Sequence, residues 1–266
     1  MPLQQGEDAV TDRPVMIVTG GSRGIGAGIA RLAGSRGYDV AVNYTAAADR
    51  AEAVAREVHA AGGRAVAVRA DVAKPDDVAR LFAETDRALG RPDVLVNNAG
   101  ISVEAPVADH DPETMRRIVD TNLLGPALTS REAIRRMSTR RGGRGGVIVN
   151  ISSISGVYGG LPGDVVYAGT KGGLDSFTLG LAKEVADDGI RVCCIRPGLI
   201  RTEMWDASMG QDAVVELGRE AVPLGRIGEV DDIAAATLWL CSAEASYITG
   251  AILNVSGGRE TFVRTG

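Results

Sequence analysis

Long apolar runs, histidine and cysteine are what this 266-residue chain has least of. No stretch approaches the ~20 apolar residues that a membrane helix needs, so no membrane span is expected. Histidine occurs only as His59 and His110, neither beside cysteines or carboxylates at metal-ligand spacing, which leaves no metal site to argue for. Of the three cysteines, Cys193 and Cys194 adjoin in an apolar run and Cys241 follows a helical one. That pattern fits reduced, buried thiols rather than a disulfide framework. Residues 1–13 are polar and lack the apolar centre of a signal peptide, so they read as a disordered tail ahead of one domain spanning 14–266. A soluble, cytoplasmic protein is the expectation.

Positive charge is also in deficit: the net charge is −5 and the pI near 5.2. The one basic stretch, Arg131 to Arg144, has no aromatic residue interleaved, which argues against nucleic acid as a partner. Arginines at the end of a helix suit its dipole, and a solvated helix end is the plain reading. An acidic acyl carrier protein is a candidate partner for the same stretch, with Asp187 and Asp188 on a neighbouring surface opposing it.

What the chain does have is alternation. Short apolar runs near 14–19, 38–43, 64–69, 93–97, 147–151, 190–195 and 251–255 are separated by Ala-rich segments with helical periodicity. Strand and helix in turn predict an α/β single-domain Rossmann fold, a doubly wound parallel sheet of about seven strands with helices on both faces. Ligands of such sheets sit at the carboxyl ends of the strands. Thr19, Asn43, Asp71, Asn97, Ser152 and Pro197 all fall at or just past those ends.

Two local patterns carry chemistry. Val15 to Thr19 breaks into Gly20-Gly21-Ser22-Arg23-Gly24-Ile25-Gly26 and then a helical segment, which predicts a phosphate cradle. Glycines admit a close backbone turn, and the helix N-terminus favours negative charge. The spacing Gly-x-x-x-Gly-x-Gly differs from the usual dinucleotide Gly-x-Gly-x-x-Gly, and a plain turn before a helix is the competing reading. Further on, Tyr167 and Lys171 stand four apart, one helical turn, and so share a face. An ammonium beside a phenol is expected to draw its ionisation down from its ordinary value of ~10 toward working pH, making Tyr167 a general acid or base.

In order along the chain stand Thr19-Gly20-x-x-x-Gly24-x-Gly26, Asn97-Asn98-Ala99-Gly100, Ser153, Tyr167-x-x-x-Lys171 and Pro197-Gly198-Leu199-Ile200-Arg201-Thr202. This set resembles the short-chain dehydrogenase/reductase family over residues 14 to 258. Pro223-Leu224-Gly225-Arg226, Thr249-Gly250 and Ser256-Gly257-Gly258 are similar to its 3-oxoacyl-carrier-protein reductase branch.

The resemblance implies an enzyme acting on a carbonyl or alcohol, with Asn122, Ser153, Tyr167 and Lys171 as catalytic residues. Ser153 would hold the substrate carbonyl and Tyr167 donate the proton as hydride arrives. Lys171 would hold the nicotinamide ribose, and Asn122 support a water relaying protons to it. It also implies a cofactor site of Gly20, Ser22, Arg23, Gly24, Ile25, Gly26, Asn43, Tyr44, Asp71, Val72, Asn98, Ala99, Gly100, Tyr167, Lys171, Pro197, Gly198, Ile200 and Thr202. An NAD site would put an acid at the end of the second strand, where Asn43 and Tyr44 stand. Arg23 occupies the position from which NADP-preferring members contact the 2′-phosphate, so NADP(H) is the expected cofactor. Asp71 with Val72 resembles the adenine-holding pair, though Asp71 could instead cap the helix that begins at Pro75.

The interval from Ser153 to Tyr167 is one residue longer than the family's usual one, with Ser152 and Ser155 as alternatives to Ser153. The extra residue is expected in the Gly159 to Asp164 loop, beside the substrate. A substrate lid is expected near 203–220, where Met204, Trp205 and Met209 suggest an apolar wall. A 3-oxoacyl thioester leads among substrates, ahead of sugars, polyols or steroids. A dinucleotide-binding redox sensor without turnover is the reading of another class. Assembly as a homotetramer is what the family implies.

Overall fold

The computed structural model describes residues 13–202 and 211–259. Seven strands, β1 (Val15–Val18), β2 (Asp39–Tyr44), β3 (Ala65–Arg69), β4 (Val94–Asn97), β5 (Gly146–Ile151), β6 (Ile190–Pro197) and β7 (Ile252–Val255), form one sheet in the order β3-β2-β1-β4-β5-β6-β7. Every neighbouring pair is parallel. The strands coincide with the seven apolar runs, and the Rossmann-type sheet expected from the sequence is the one observed.

Because successive strand residues face opposite ways, β1 feeds two cores. Met16 and Val18 pack with Ile29, Ala33, Val54 and Ile233, from α1 (Gly24–Ser35), α2 (Ala48–Ala60) and the late helix α9 (Val230–Cys241). Val15 and Ile17 pack on the other face with Leu81, Phe82, Met137 and Leu181. These come from α3 (Pro75–Ala88), α5 (Gly125–Met137) and α7 (Val165–Glu184). Such burial on both faces explains why the inner strands read as near-continuous Val, Ile and Ala.

The chain winds outward through β1, β2 and β3, then returns to place β4 on the other side of β1. The point where strand order reverses lies between β1 and β4, and the crevice at their carboxyl ends is where such folds bind ligands. A buried polar seam fixes the β4 to β5 pairing. Asn97 donates its amide to Asn150 Oδ1 at 2.9 Å, Thr129 on α5 donates to Asn97 Oδ1 at 2.6 Å, and Asn150 donates to Thr178 on α7 at 2.9 Å. Each amide is fully or nearly fully buried, so a slip of register would leave unpartnered polar groups.

Between β4 and β5, α4 (Pro112–Val119) runs into α5 through one π turn, Asp120–Leu124, closed by the Gly125 N–H on the Asp120 carbonyl. Pro126, at the start of α5, has no N–H to return to the carbonyl four residues back, which explains the widened turn there. Two more helices, α6 (Ser155–Tyr158) and α8 (Gln211–Ala221), lie beyond the carboxyl ends of β5 and β6 in the chain. No helix among the described residues is long and apolar enough to cross a membrane.

Candidate active site

The turn after β1 is held from both neighbouring strands. Thr19 Oγ1 accepts from the Asn98 and Ala99 N–H groups at 2.9 and 3.0 Å, and Asn98 Nδ2 donates to the Thr19 and Gly20 carbonyls at 2.9 and 3.1 Å. From β2, Asn43 Oδ1 accepts from Gly20 N–H at 3.1 Å while its Nδ2 donates to the Ala70 carbonyl at 2.9 Å. Gly20 has φ 63° and Gly24 φ 52°. A Cβ on Gly26 would stand 2.4 Å from both Asn98 Nδ2 and the Gly20 carbonyl, so only glycine fits. The first turn of α1 follows with Arg23 as N-cap and no side chain capping it, which leaves its N–H groups to an outside acceptor. Close backbone, uncapped N–H groups and an exposed Arg23 without an ion pair among the described residues fit a pyrophosphate.

Some residues expected to face the cofactor do other work. Asn43 is buried with both ends of its amide committed to backbone, so its side chain holds the turn. Asn98, just past β4, braces the same turn with its Nδ2. Tyr44 packs half-buried on the core. Asp71 does not cap α3, whose N-cap is Lys74; its carboxylate is gripped by Arg117 at 3.0 and 3.1 Å and accepts from Ala73 N–H. Val72 is buried against Gly125, where a Cβ would come within 2.9 Å of it. Beside Asp71 lies a cavity of about 430 Å³ lined by Thr45, Arg69, Lys74, Asp77 and Arg80.

The four expected acid–base residues come together at the carboxyl ends of β4 and β5. Ser153 stands two residues beyond β5, and its hydroxyl lies beside the Tyr167 phenol and accepts from Ser155 N–H at 3.1 Å. Of the two alternatives, Ser152 donates to the Lys171 carbonyl and the Ser155 hydroxyl lies 3.5 Å from that of Tyr158. One turn along α7, Lys171 is buried, donates to the Ile151 carbonyl at 2.8 Å, and holds its Nζ 5.5 Å from the Tyr167 ring centre. Asn122, in the π turn, zips onto Ile101 with two hydrogen bonds, 2.8 and 2.9 Å, and donates to Thr170 at 3.2 Å. A Cβ on Gly100 would meet Asn122 Oδ1 at 3.4 Å and Lys171 Nζ at 3.6 Å, so this glycine marks the gap between them.

One expectation is reversed by burial. Tyr167 is pushed up to about 12 by loss of solvent, with Asp164 and Tyr158 adding to the rise and the nearby Ser153 hydroxyl only partly offsetting it. Lys171 is pulled down to about 8, also by burial, against the opposing pull of Cys194 and Asp175. Desolvation outweighs the attraction that the spacing suggested, because Lys171 turns its Nζ to a backbone carbonyl.

The end of β6 closes the crevice. Gly198 lies so near Ser256 that a Cβ would stand 2.7 Å from its Cα, Ile154 N–H donates to the Pro197 carbonyl at 3.1 Å, and Ile200 bridges to Gly228. Thr202 Cγ2 lies 3.7 Å from where a Gly24 Cβ would be, so this loop faces the glycine turn. Residues 203–210 of the expected lid lie outside the described residues; 211–221 form α8. A cavity of about 480 Å³ near Leu199, Pro223 and Leu224 touches none of the four acid–base residues.

A family model described as enoyl-(acyl carrier protein) reductase matches residues 20–260. An Escherichia coli protein called uncharacterized oxidoreductase YgfF is 42% identical over 247 residues, 92% of this chain and 99% of that one. This chain belongs to the short-chain dehydrogenase/reductase family. The 3-oxoacyl-[acyl-carrier-protein] reductase FabG of Staphylococcus epidermidis is 39% identical over 91% of this chain and 97% of its own. The solved structure of acetoin dehydrogenase YohF from Salmonella typhimurium superposes with a TM-score of 0.86 at 32% identity, covering 96% and 98% of the two chains. As a short-chain dehydrogenase/reductase the chain is an oxidoreductase of a family that binds NAD(P)(H).

Sequence reasoning missed several partners. Arg117, Ser102 and Thr170 sit far along the chain from the residues they bind. Asp175 was within reach: it stands one turn past Lys171 on α7, and it pairs with Arg196 at 2.9 Å and meets Cys194 Sγ at 3.4 Å beneath the site.

Proposed function

We propose that the chain is an NADP(H)-dependent oxidoreductase that interconverts a carbonyl and a secondary alcohol at Tyr167, acting within one domain of residues 14–266. The observation carrying this reading is the placing of Ser153 beside Tyr167, with buried Lys171 and Asn122 next to them, close to the strand reversal of the sheet. A bound dinucleotide supplies or takes up the hydride. In reduction, Ser153 holds the carbonyl oxygen and Tyr167, protonated throughout the neutral range, passes its phenolic proton to that oxygen. Lys171 binds the nicotinamide ribose, and Asn122 holds Gly100 and Ile101 against it. The glycine turn and α1 hold the pyrophosphate. Arg23, exposed and without an acid at Asn43 to oppose it, binds the 2′-phosphate; one charge-assisted bond contributes roughly 1.5–3 kcal/mol.

A 3-oxoacyl thioester is the first substrate class to assay, by likeness to FabG, and small hydroxyketones come next, by likeness to the acetoin dehydrogenase. Free thioesters suit the test better than carrier-bound ones. The Arg131 to Arg144 stretch is largely neutralised within the chain: Arg135 pairs with Glu132, Arg136 with Asp86, Arg140 with Asp187 and Arg144 with Asp93.

The deciding experiment has two arms. NADPH consumption across thioesters, simple ketones, aldehydes, sugars and steroids reads the substrate. Titration with NADPH and NADH reads the cofactor, with NADPH expected to bind at least about tenfold tighter and Arg23→Ala expected to erase the difference. Tighter NADH binding by the parent chain would sink the assignment of NADP(H).

A further inference from the structure

The loop that lengthens the Ser153 to Tyr167 interval carries a charge to the mouth of the site. Gly159, Gly160 and Gly163 all adopt left-handed backbone, φ 87°, 80° and 92°, and let this loop fold back on itself. It meets the loop after β4 at two points. Ala105 N–H donates to the Gly163 carbonyl at 3.0 Å, and the Ser102 hydroxyl donates to Asp164 Oδ1 at 2.7 Å. Asp164 is the N-cap of α7, three residues before Tyr167, yet its carboxylate makes no cap hydrogen bond. An aspartate there ordinarily takes the free N–H groups of its own helix. Ser102 holds this one across the gap between the two loops instead.

The surroundings are otherwise apolar. Val103 and Val107 on one loop, with Val157, Leu161 and Val165 on or beside the other, are each about half exposed or more. An apolar patch of this kind around a polar centre marks a ligand mouth. The polar groups facing the Tyr167 phenol are Ser153, Tyr158 and Asp164, with Lys171 under the ring and Glu104 beside Gly163.

We propose that Asp164 is a specificity-determining residue, disfavouring substrates with an anionic group within two carbons of the reacting one and directing the site to neutral ketones and secondary alcohols with apolar flanks. This rests on the reading of Tyr167 as the proton donor. Substrate entry displaces water from the mouth, and a second negative charge there meets Asp164 with less screening than in bulk solvent. A methyl, alkyl or ester group in the same place meets only the valine and leucine rim.

The test uses a matched pair, ethyl acetoacetate and acetoacetate, which share a ketone and differ by one charge. The parent chain should favour the ester by about tenfold or more in kcat/KM. Asp164→Asn keeps a partner for Ser102, and it should shrink that ratio several-fold, mainly by improving acetoacetate. The ultraviolet titration of tyrosinate, taken as the difference from Tyr167→Phe, should show the Tyr167 midpoint lower in Asp164→Asn than in the parent. An unchanged ester-to-acid ratio overturns the proposal. If neither ketone is turned over, the ratio is read instead on a neutral substrate established for the parent and its carboxylate counterpart, where an unchanged ratio in Asp164→Asn overturns the role of Asp164; a Tyr167→Phe variant with parental turnover would instead overturn Tyr167 as the proton donor.

Discussion

Burial moves the proton affinity of Lys171 from 10.5 down to about 8, so at pH 7 the folded chain holds a charge it would shed more readily than the unfolded chain. The sign follows from proton counts. Between about 8 and 10.5 the unfolded state binds the extra proton, so stability rises with pH there; this contribution is fully present above 10.5 and is lost as pH falls through 8. At pH 7 the buried charge costs roughly 3 kcal/mol, at 1.36 kcal/mol per pH unit. Lys171→Met removes that cost but orphans the Ile151 carbonyl, worth about 1 kcal/mol. A net gain of about 2 kcal/mol is expected at pH 7, shrinking toward pH 10, with loss of NADPH binding; urea denaturation at the two pH values checks it. Tyr167→Phe keeps the ring and removes the assigned proton donor, so turnover should fall at least ~10²-fold with cofactor affinity nearly unchanged. Steady-state kinetics on a substrate established for the parent reads this directly, and parental turnover in the variant would show that the proton comes from elsewhere. In the parent, reduction should weaken as pH rises through about 8 and Lys171 loses the charge that holds the ribose.

At the scale of elements, the inner strands were legible because burial on both sheet faces leaves runs of Val, Ile and Ala, and the partly buried edge strands β3 and β7 because glycines precede their short apolar runs. Strand-end motifs were legible for the same reason: once the runs are placed, Thr19, Asn97 and Ser152 fall on one edge. What each polar side chain does there was not legible. Asn43, Asn98 and Asn122 look like ligand-facing residues in a sequence, but each satisfies backbone groups of a neighbouring element, and those elements are brought close only by the sheet. The π turn also escaped periodicity, although Pro126 announces a missing donor. The direction of the Tyr167 shift was missed because helical spacing says that two residues are near without saying where a lysine points. The glycine turn offers a test at this scale. Gly26→Ala places a methyl 2.4 Å from Asn98 Nδ2 and from the Gly20 carbonyl, a backbone collision that should cost about 1–3 kcal/mol. Thermal denaturation should show a lower midpoint and calorimetry weaker NADPH binding; an unshifted midpoint would mean that the turn relaxes freely.

Taken as a whole, the molecule leaves apolar side chains uncovered on the elements that follow β4 and β5: Val119 and Leu124 around the π turn and Leu179 on α7, with Trp239 and Tyr247 near the late edge. A homotetramer joined through these elements is the expected assembly, and light scattering at micromolar concentration should return four times the 27.6 kDa chain mass. A monomer would contradict it. The strand order has a further consequence, one of timing. Strands β1 to β4 and the contacts that brace the glycine turn all lie within the first hundred residues, whereas Asn122, Ser153, Tyr167 and Lys171 come later. On the ribosome, where amino-terminal parts emerge first, the sequence of the nucleotide cradle is complete before any proton-transfer group has been made. Asn97 must wait at the open edge of β4 for Asn150 and Thr129 to arrive. The emerging chain thus carries every residue of the glycine turn before any of the four acid–base residues exists, while the helix that covers α1 from Val230 onward is among the last parts to be made.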